Sequence, residues 1–270
     1  MPSTETTPTR LLLTPEPTAC VNQDDRHEAN ILLGTFPTGD YPFAAIFDGS
    51  SIWTADQFGG TVTKLRASDG ATLGTFRVGS YPAGLAFDGA NIWVTNDRDR
   101  NVMKLRASDG ALLGTFKTDS GPQGIVFDGT YVWIANSGSD TVIRLQASDG
   151  ALAGRQTVGD FPAALAFDGT NIWVANGYDD SVTELRGTDG TRVKTIAVGD
   201  FPLGITSDGT HVWVTSYFGS QIDKIRISDS SRRKPLAAEN GPQGVLYDGS
   251  SIWVANFGGN TVSKITRTAP

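Results

Sequence analysis

Short apolar stretches separated by polar turns recur along this chain. Residues 82–87, 92–96, 102–106 and 112–116 are each five or six residues long and rich in aliphatic and aromatic side chains. Stretches of this length, bounded by glycine, aspartate and proline, are typical of β-strands and too short for helices. The pattern predicts a unit of four antiparallel strands.

The same unit occurs six times. Six tryptophans are spaced 40 residues apart without drift, at Trp53, Trp93, Trp133, Trp173, Trp213 and Trp253. A repeat of about 40 residues that contains four strands is the signature of a β-propeller blade. We therefore predict an all-β fold, a six-bladed propeller of four-stranded antiparallel blades, as a single domain over residues 31–270.

The first thirty residues differ in character. They are rich in threonine, proline and charge, have no periodicity, and are predicted to form a flexible or loosely packed tail. The apolar run at 11–13 is too short for a signal-peptide core, and no segment has transmembrane length. We expect a soluble chain, cytoplasmic if complete, in which the single cysteine, Cys20, excludes an intrachain disulfide.

The two ends of the repeat array complement each other. Residues 261–267 match a third strand with no fourth strand after it, whereas residues 31–36 (ILLGTF) match the fourth-strand pattern of residues 111–116 (ALLGTF). We predict that strand 31–36 completes the last blade and closes the ring, which removes two exposed sheet edges.

Charge narrows the choice of partners. The formal net charge is −7 and the isoelectric point is about 4.8. Nucleic acids and anionic membranes require a basic face, so neither is expected as a partner. We expect a monomer.

An Asp-Gly dipeptide follows the first strand of every repeat. The six aspartates are Asp48, Asp88, Asp128, Asp168, Asp208 and Asp248. Glycine accepts positive φ and the aspartate caps the local backbone, so these residues predict tight turns rather than a metal site. The tryptophans are interpreted as packing between blades.

Known propellers share this unit. The pattern P-x-G-[IL]-x-F-D-G-x-x-[IV]-W-V-[AT]-N, followed by V-x-[KR]-L and V-G-[DS]-[YF]-P, resembles the blade of the NHL, YVTN and virginiamycin B (streptogramin) lyase superfamily. The resemblance covers residues 31–270. It implies a propeller, but that superfamily includes lyases, hydrolases and binding proteins, so it does not specify an activity.

The chain departs from the pattern that the lyases imply. By this resemblance a lyase has seven blades and uses a histidine with a nearby glutamate and a divalent cation. This chain has six repeats and two histidines, His27 in the tail and His211 in a turn far from the variable loops. We interpret His211 as a solvated turn residue, since a general base must share a pocket with its substrate.

Function is expected where the repeats disagree. The connection from one blade to the next, which rims the channel in propellers, carries Tyr41, Tyr81, Phe161 and Phe201 in four blades, and Gly121 and Gly241 in the other two. The glycine blades lie opposite each other and continue with Gln123 and Gln243. We predict an elongated cleft with aromatic walls and two amides that orient a polar ligand. The alternative is that the aromatic rings pack between blades.

Carboxylates occur along the same connections. They are Asp40, Asp119, Asp160, Asp200 and Glu239. Carboxylate oxygens are ligands for Ca²⁺ or Mg²⁺, and they would also attract a cationic ligand. No metal-loop spacing is present within a repeat, so the sequence predicts no required cofactor and leaves these residues as candidates for a cation.

A second variable zone follows the tryptophan strand. Its aromatic residues are Phe58, Tyr178, Tyr217, Phe218 and Phe257. Exposed rings on glycine-containing loops suggest a contact surface for a partner or a carbohydrate. Arg98 and Arg100 are its cations; they would suit an anionic ligand group or would pair with Asp97 and Asp99.

Three functional hypotheses remain open. The first is a non-catalytic propeller that binds a small molecule, carbohydrate or peptide, because no catalytic triad or histidine cluster is evident. The second is a lyase or hydrolase that uses Asp160 or Glu239 with a cation. The third is a recently amplified or engineered repeat scaffold, suggested by the near-identical stretches KLRASDGATLGTF and KLRASDGALLGTF.

Overall fold

The structure, a computed structural model, describes residues 35–266. Within this range every regular element is a β-strand. The strands form six sheets whose inner strands surround a central channel, which confirms the predicted all-β, six-bladed propeller. The six blades belong to one compact unit, and no helix in the described range is long and apolar enough to cross a membrane.

Each sheet is built by one repeat. The strands of blades 1 to 3 are β1 (Pro42–Phe47), β2 (Ser51–Asp56), β3 (Thr61–Arg66), β4 (Thr72–Arg77), β5 (Pro82–Phe87), β6 (Asn91–Asn96), β7 (Asn101–Arg106), β8 (Leu112–Lys117), β9 (Pro122–Phe127), β10 (Tyr131–Asn136), β11 (Thr141–Gln146) and β12 (Leu152–Thr157).

Blades 4 to 6 follow the same plan. Their strands are β13 (Pro162–Phe167), β14 (Asn171–Asn176), β15 (Ser181–Arg186), β16 (Arg192–Ala197), β17 (Pro202–Ser207), β18 (His211–Ser216), β19 (Gln221–Arg226), β20 (Ser231–Arg232), β21 (Leu236–Ala237), β22 (Pro242–Tyr247), β23 (Ser251–Asn256) and β24 (Thr261–Thr266). Neighbouring strands pair antiparallel in sequence order. The fourth strand of blade 5 is split into β20 and β21, which flank Pro235, a residue with no amide hydrogen for the ladder.

The Asp-Gly turns are confirmed, and the aspartates also hold the tryptophans. Asp48 accepts hydrogen bonds through Oδ1 from the amides of Ser50 and Ser51, and through Oδ2 from Trp53 Nε1 at 2.7 Å. The indole–carboxylate bond recurs in all six blades at 2.6–2.9 Å. The five-residue spacing from the aspartate to the tryptophan, repeated in every blade, therefore lets the aspartate hold the indole as well as the turn.

The tryptophans lie between blades, as expected. Trp53 packs with Leu85, Ile92 and Val94 of the following blade, and the tryptophans of blades 1 to 5 are at most 3% exposed. Basic side chains add polar links across the same interfaces. Lys64 Nζ donates to Ala107 O at 2.7 Å, and Lys104 Nζ donates to Ala147 O at 2.6 Å.

The junction between blade 6 and blade 1, which we call the seam, is packed differently. Val262 is 63% exposed, whereas its five equivalents, Val62, Val102, Val142, Val182 and Ile222, are at most 1% exposed. Leu246 on blade 6 and Phe47 on blade 1 are also more than half exposed. Within residues 35–266, β1 and β22 make no contact comparable to those of the other inner-strand neighbours. The seam is therefore open.

The predicted closing strand falls mostly outside the described residues. Blade 6 has three strands within the described range, and residues 31–34 lie beyond it. Phe36 is described, and its ring packs on Gly70 as the ring of Phe76 packs on Gly110. Phe36 thus lies where the outer strand of a preceding blade places its phenylalanine. The completion of blade 6 by residues 31–36 stays a prediction.

Candidate functional site

The two variable zones meet on one face of the ring, which we call the mouth face. We use "rim residue" for positions 41, 81, 121, 161, 201 and 241, and "loop residue" for positions 58, 98, 138, 178, 218 and 258. The carbonyl of each rim residue accepts a hydrogen bond of 2.7–3.1 Å from the amide that precedes the loop residue of its own blade. The zones are therefore joined at every blade.

Rim and loop residues pair by size. Four blades contain a rim–loop pair in contact: Tyr41–Phe58, stacked with ring centroids 4.4 Å apart, Phe161–Tyr178 and Phe201–Phe218, tilted with centroids 4.8 Å and 5.1 Å apart, and Tyr81 with the Arg98 guanidinium carbon 4.0 Å from its centroid. In blades 3 and 6 both positions are glycine. A Cβ on Gly121 would lie 2.7 Å from the Gly138 nitrogen, so backbone replaces the stack there. The mouth face thus has four walls with an aromatic rim residue and two opposite gaps.

The rim aromatics hold a strained backbone. Tyr41, Tyr81, Phe161 and Phe201 have φ between 55° and 64°, in the left-handed region. This region costs an L-residue about 1–2 kcal/mol but costs glycine almost nothing, and blades 3 and 6 do use glycine with φ of 70° and 64°. Strain of this kind clusters at functional sites.

The aromatic rings form two groups. The smaller group consists of Tyr41, Phe58 and Tyr81, since Phe58 also lies 5.4 Å from Tyr81 of the next blade. The larger, which we call the aromatic patch, consists of Phe161, Tyr178, Phe201, Tyr217, Phe218 and Phe257 of blades 4 to 6. Its outermost rings, Tyr178, Phe218 and Phe257, are 64–67% exposed. These rings face solvent and do not serve as packing between blades.

A cavity of about 1000 Å³ lies in the channel mouth. Gln123 and Gln243, predicted to orient a ligand, both line it, as do Tyr41, Phe201 and Phe257. Tyr217 lines it as well. The cavity reaches the open seam, where Val262 forms part of its wall.

The other predicted ligand-binding residues lie outside this cavity. Phe58, Tyr81 and Arg98 line a smaller cavity of about 470 Å³ between blades 1 and 2. Phe161 and Tyr178 belong to the aromatic patch beside the mouth, and so does Phe218. The predicted set is therefore divided between a channel cavity and the surrounding rim.

Asp97 was not predicted as a site residue. Burial raises the pKa of its carboxyl above the usual range, and this effect is opposed by a hydrogen bond from Gln123 and by the charge of Arg98. The sequence leaves open a pairing of Arg98 and Arg100 with Asp97 and Asp99. In the structure the Arg98 guanidinium lies over the Tyr81 ring, and Asp99 accepts a hydrogen bond from the Ser80 amide at 2.7 Å. The signal that could have identified Asp97 is its place in the loop, immediately before Arg98, the partner of the rim residue Tyr81.

Other loop carboxylates cap rim amides in the same way. Asp179 accepts from the Asp160 amide at 2.9 Å, Asp140 from the Phe161 amide at 3.1 Å, and Asp180 from the Phe201 amide at 2.9 Å. These bonds tie the rim turns to the loops. These three loop carboxylates therefore have a structural role.

The structure does not gather the candidate cation ligands into one site. Asp119 is engaged by Arg155 at 2.5 Å and by Thr141 at 2.8 Å. Over residues 35–266, no three His, Cys, Asp or Glu side chains come together in a way that could hold a metal ion. Asp40, Asp200 and Glu239 belong to separate blades, so the carboxylates are distributed around the rim.

Asp160 stands out among the rim carboxylates by its surroundings. Loss of hydration raises its pKa, and the neighbouring charges of Asp140 and Asp179 raise it further. His211 lies at the β17–β18 turn, where its Nδ1 is 2.9 Å from Thr210 Oγ1. That turn, like the other Asp-Gly turns, is at the opposite end of the strands from the mouth face.

Comparison with known proteins identifies the fold. No protein-family profile matches the sequence, and no curated protein sequence matches it. Among solved structures, "Streptogramin B lyase structure" superposes with a TM-score of 0.72 at 20% identity over 86% of this chain and 85% of that one. A second, "Kuenenia stuttgartiensis Hydrazine Synthase", superposes with a TM-score of 0.60 at 16% identity over 88% of this chain and 99% of that one. By fold, the chain is a six-bladed β-propeller that resembles streptogramin B lyase.

Proposed function

We propose that this protein is a binding propeller whose ligand lies across the mouth face, over the channel cavity. The observation that carries the proposal is the strained, stacked rim. Four blades place a ring at a position with positive φ, where the protein's own glycine blades show that a ring is not needed for the fold. A costly residue kept at the rim of the channel mouth is best explained by a contact that the rim makes with a ligand.

The arrangement suits an elongated ligand. The two glycine gaps lie opposite each other, in blades 3 and 6, and Gln123 and Gln243 of the same blades line the cavity between them. Amide side chains offer both donors and acceptors, while the rings offer flat apolar faces, which together are typical of small-molecule and carbohydrate sites. A ligand that runs from one gap to the other would contact both amides and the rings beside them.

A test is to replace the amides and follow binding. The full chain is screened by thermal unfolding against peptides, oligosaccharides and cyclic esters, and each ligand that raises the melting temperature is titrated by calorimetry. The variant Gln123→Ala/Gln243→Ala should weaken binding by about tenfold or more, since each amide contributes on the order of 1 kcal/mol. The control Gln156→Ala, a half-buried glutamine of the outer strand β12, should bind normally.

The result that would refute the proposal is equally clear. If a ligand stabilises the chain and the double variant Gln123→Ala/Gln243→Ala binds it with the same affinity as the unmodified chain, the cavity is not the site. If no compound in the screen raises the melting temperature, the mouth face is not a site for any of these classes.

The lyase or hydrolase alternative has one observation in its favour. Asp97 carries a carboxyl with a raised pKa beside Gln123, and such groups are candidates for general acid or base roles. However, Asp97 is not among the residues that line the channel cavity. If the chain turns over cyclic esters and Asp97→Asn abolishes turnover without lowering the melting temperature, the catalytic alternative replaces binding alone.

A further inference from the structure

The aromatic patch is the larger of the two groups of aromatic rings on the mouth face. Its rings form a continuous series. The ring centroids are 4.8 Å apart for Phe161 and Tyr178, 5.4 Å for Tyr178 and Phe201, and 5.1 Å for Phe201 and Phe218. Tyr217 then links the series to Phe257 at 6.5 Å. Contiguous exposed rings of this kind mark interaction sites, because leaving them in water is costly.

The surroundings of the patch carry only negative charge. Five exposed carboxylates lie on the same turns and loops: Asp160, Asp179, Asp180, Asp200 and Glu239. The rim and loop segments 158–162, 177–180, 198–202, 217–220, 238–242 and 257–260 contain no lysine, arginine or histidine. A ligand that covers these rings therefore meets a negative potential, which selects for positive charge.

Another part of the same rim shows which cation fits. In blade 2 the loop residue is Arg98, and its guanidinium carbon lies 4.0 Å from the Tyr81 ring centroid. The equivalent loop residues of blades 4 and 5 are Tyr178 and Phe218, which occupy the same place over their own rim rings. An aromatic rim residue thus accepts either a guanidinium or an aromatic ring as its partner, since both are flat groups that pack against a ring.

We propose that the aromatic patch docks an arginine-bearing segment of a partner peptide or protein, with guanidinium groups stacked on Tyr178, Phe218 and Phe257 and paired with the carboxylates around them. This proposal rests on the proposed function, because it names the ligand class of the mouth face. A lysine-rich segment would share the charge but not the stacking. A neutral oligosaccharide would share the stacking but would gain nothing from the carboxylates.

The test uses the full chain and synthetic probes in calorimetry. The first probe is an octapeptide of alternating arginine and glycine, the second replaces arginine with lysine, and the third is the neutral oligosaccharide cellohexaose. We expect the arginine peptide to bind at least about threefold more tightly than the lysine peptide, since stacking adds to charge attraction. Added salt should weaken both peptides.

Variants separate stacking from general charge attraction. The double change Phe218→Ala/Phe257→Ala leaves the net charge intact and should weaken the arginine peptide by about tenfold, while it reduces the difference in affinity between the two peptides, because only Tyr178 is left to stack. The control is Phe47→Ala, at the end of β1 that is far from the mouth face, a ring that is 56% exposed, which should leave both affinities unchanged. Thermal unfolding verifies that each variant is folded. Because the substituted rings are exposed, we expect their loss to leave the fold intact.

The outcomes decide between this inference and the function on which it rests. Equal binding of the two peptides, or binding that survives the double change, would mean attraction by net charge alone and overturns the inference. If cellohexaose binds, is lost in the double variant, and the peptides do not bind, the mouth face is a ligand site but its ligand is a sugar. If no probe binds at millimolar concentration, the inference fails, and the amide variants with the wider screen decide the proposed function separately.

Discussion

The guanidinium of Arg98 lies over the ring of Tyr81, 4.0 Å from its centroid, in the place where Phe58 stacks on Tyr41 and Phe218 packs at a tilt against Phe201. One position of the repeat therefore holds either a cation or a ring, provided that the rim residue beneath it is aromatic. Where the rim residue is glycine, the loop residue is glycine as well. The rim is built from pairs, and a change at one member has a predictable effect on the other.

Arg98→Phe should be tolerated. The new ring would reproduce the stacked pair of blade 1, so the free energy of unfolding should change by less than about 0.5 kcal/mol. Arg98→Gly, which removes the stack, should cost about 0.5–1 kcal/mol, the usual value of an exposed cation–π contact. Chemical denaturation measures both. A loss for phenylalanine as large as that for glycine would show that the positive charge, and not the flat group over Tyr81, is what this position needs.

The rim strain predicts an inverted preference between glycine and alanine. Both Phe161→Ala and Phe161→Gly remove the ring, but only glycine relieves a φ of 55°. The glycine variant should therefore be more stable than the alanine variant by about 1 kcal/mol in denaturant unfolding.

Phe167 provides the control, because it lies at the end of β13 outside the left-handed region. There the glycine variant should be less stable than the alanine variant by about 0.5–1 kcal/mol. If both positions favoured alanine, the strain at Phe161 would be absent in solution.

The open seam predicts unequal costs for one substitution at equivalent positions. Val182→Ala removes methyl groups from a fully buried site and should cost about 2 kcal/mol. Val262→Ala changes a side chain that is 63% exposed and should cost less than about 0.5 kcal/mol. Equal losses would show that blade 6 packs on blade 1 in solution and that the ring is closed.

Stability should fall in acid partly through Asp208. Burial of this carboxyl opposes its ionisation, but hydrogen bonds from Thr210, Trp213 and the His211 amide outweigh burial and lower its pKa to about 2. The unfolded value is about 3.9, so the ionised carboxylate stabilises the fold above that pH, and the contribution is lost as the pH falls from about 4 towards 2.

The variant Asp208→Asn tests this. Its melting temperature should be lower than that of the unmodified chain near neutral pH, and the difference should shrink as the pH approaches about 2. A difference that stays constant with pH would mean that the carboxylate charge is not responsible.

Asp160 should behave in the opposite sense. Loss of hydration and the charges of Asp140 and Asp179 raise its pKa, so the folded state holds its proton more firmly than the unfolded state. Its contribution to stability is present below the unfolded pKa of about 3.9 and is lost as the pH rises through the raised value. Asp160→Asn should therefore raise the melting temperature near neutral pH and change it little in acid. A melting temperature that falls near neutral pH would contradict the repulsion.

The repeat made the fold predictable. Strand lengths, Asp-Gly turns and the tryptophan spacing are local features that recur six times, and local features survive into the structure because each blade solves the same packing problem. Both variable zones lie on one face because alternate connections of antiparallel strands are at the same end of a sheet.

Side-chain partnerships were less accessible. The spacing of Asp48 and Trp53 does not reveal that the turn aspartate also accepts a hydrogen bond from the indole. Nothing in the sequence pairs Arg98 with Tyr81 in preference to Asp97. The partner that a side chain takes depends on distances between loops. Where an arginine could reach either a ring or a carboxylate, the direction in which the backbone points its side chain decides which of the two it contacts.

The sequence by itself determined that this protein is a ring of six antiparallel sheets with tryptophan between blades, because period and turn chemistry leave one way to bury the apolar faces. Only the tertiary structure decided that the rim rings stack in pairs, that Gln123 and Gln243 share one cavity, and that Val262 is exposed while Val182 is buried. Identical residues at equivalent positions carry the same local signal. Their surroundings differ because a ring built from repeats must still join its first unit to its last.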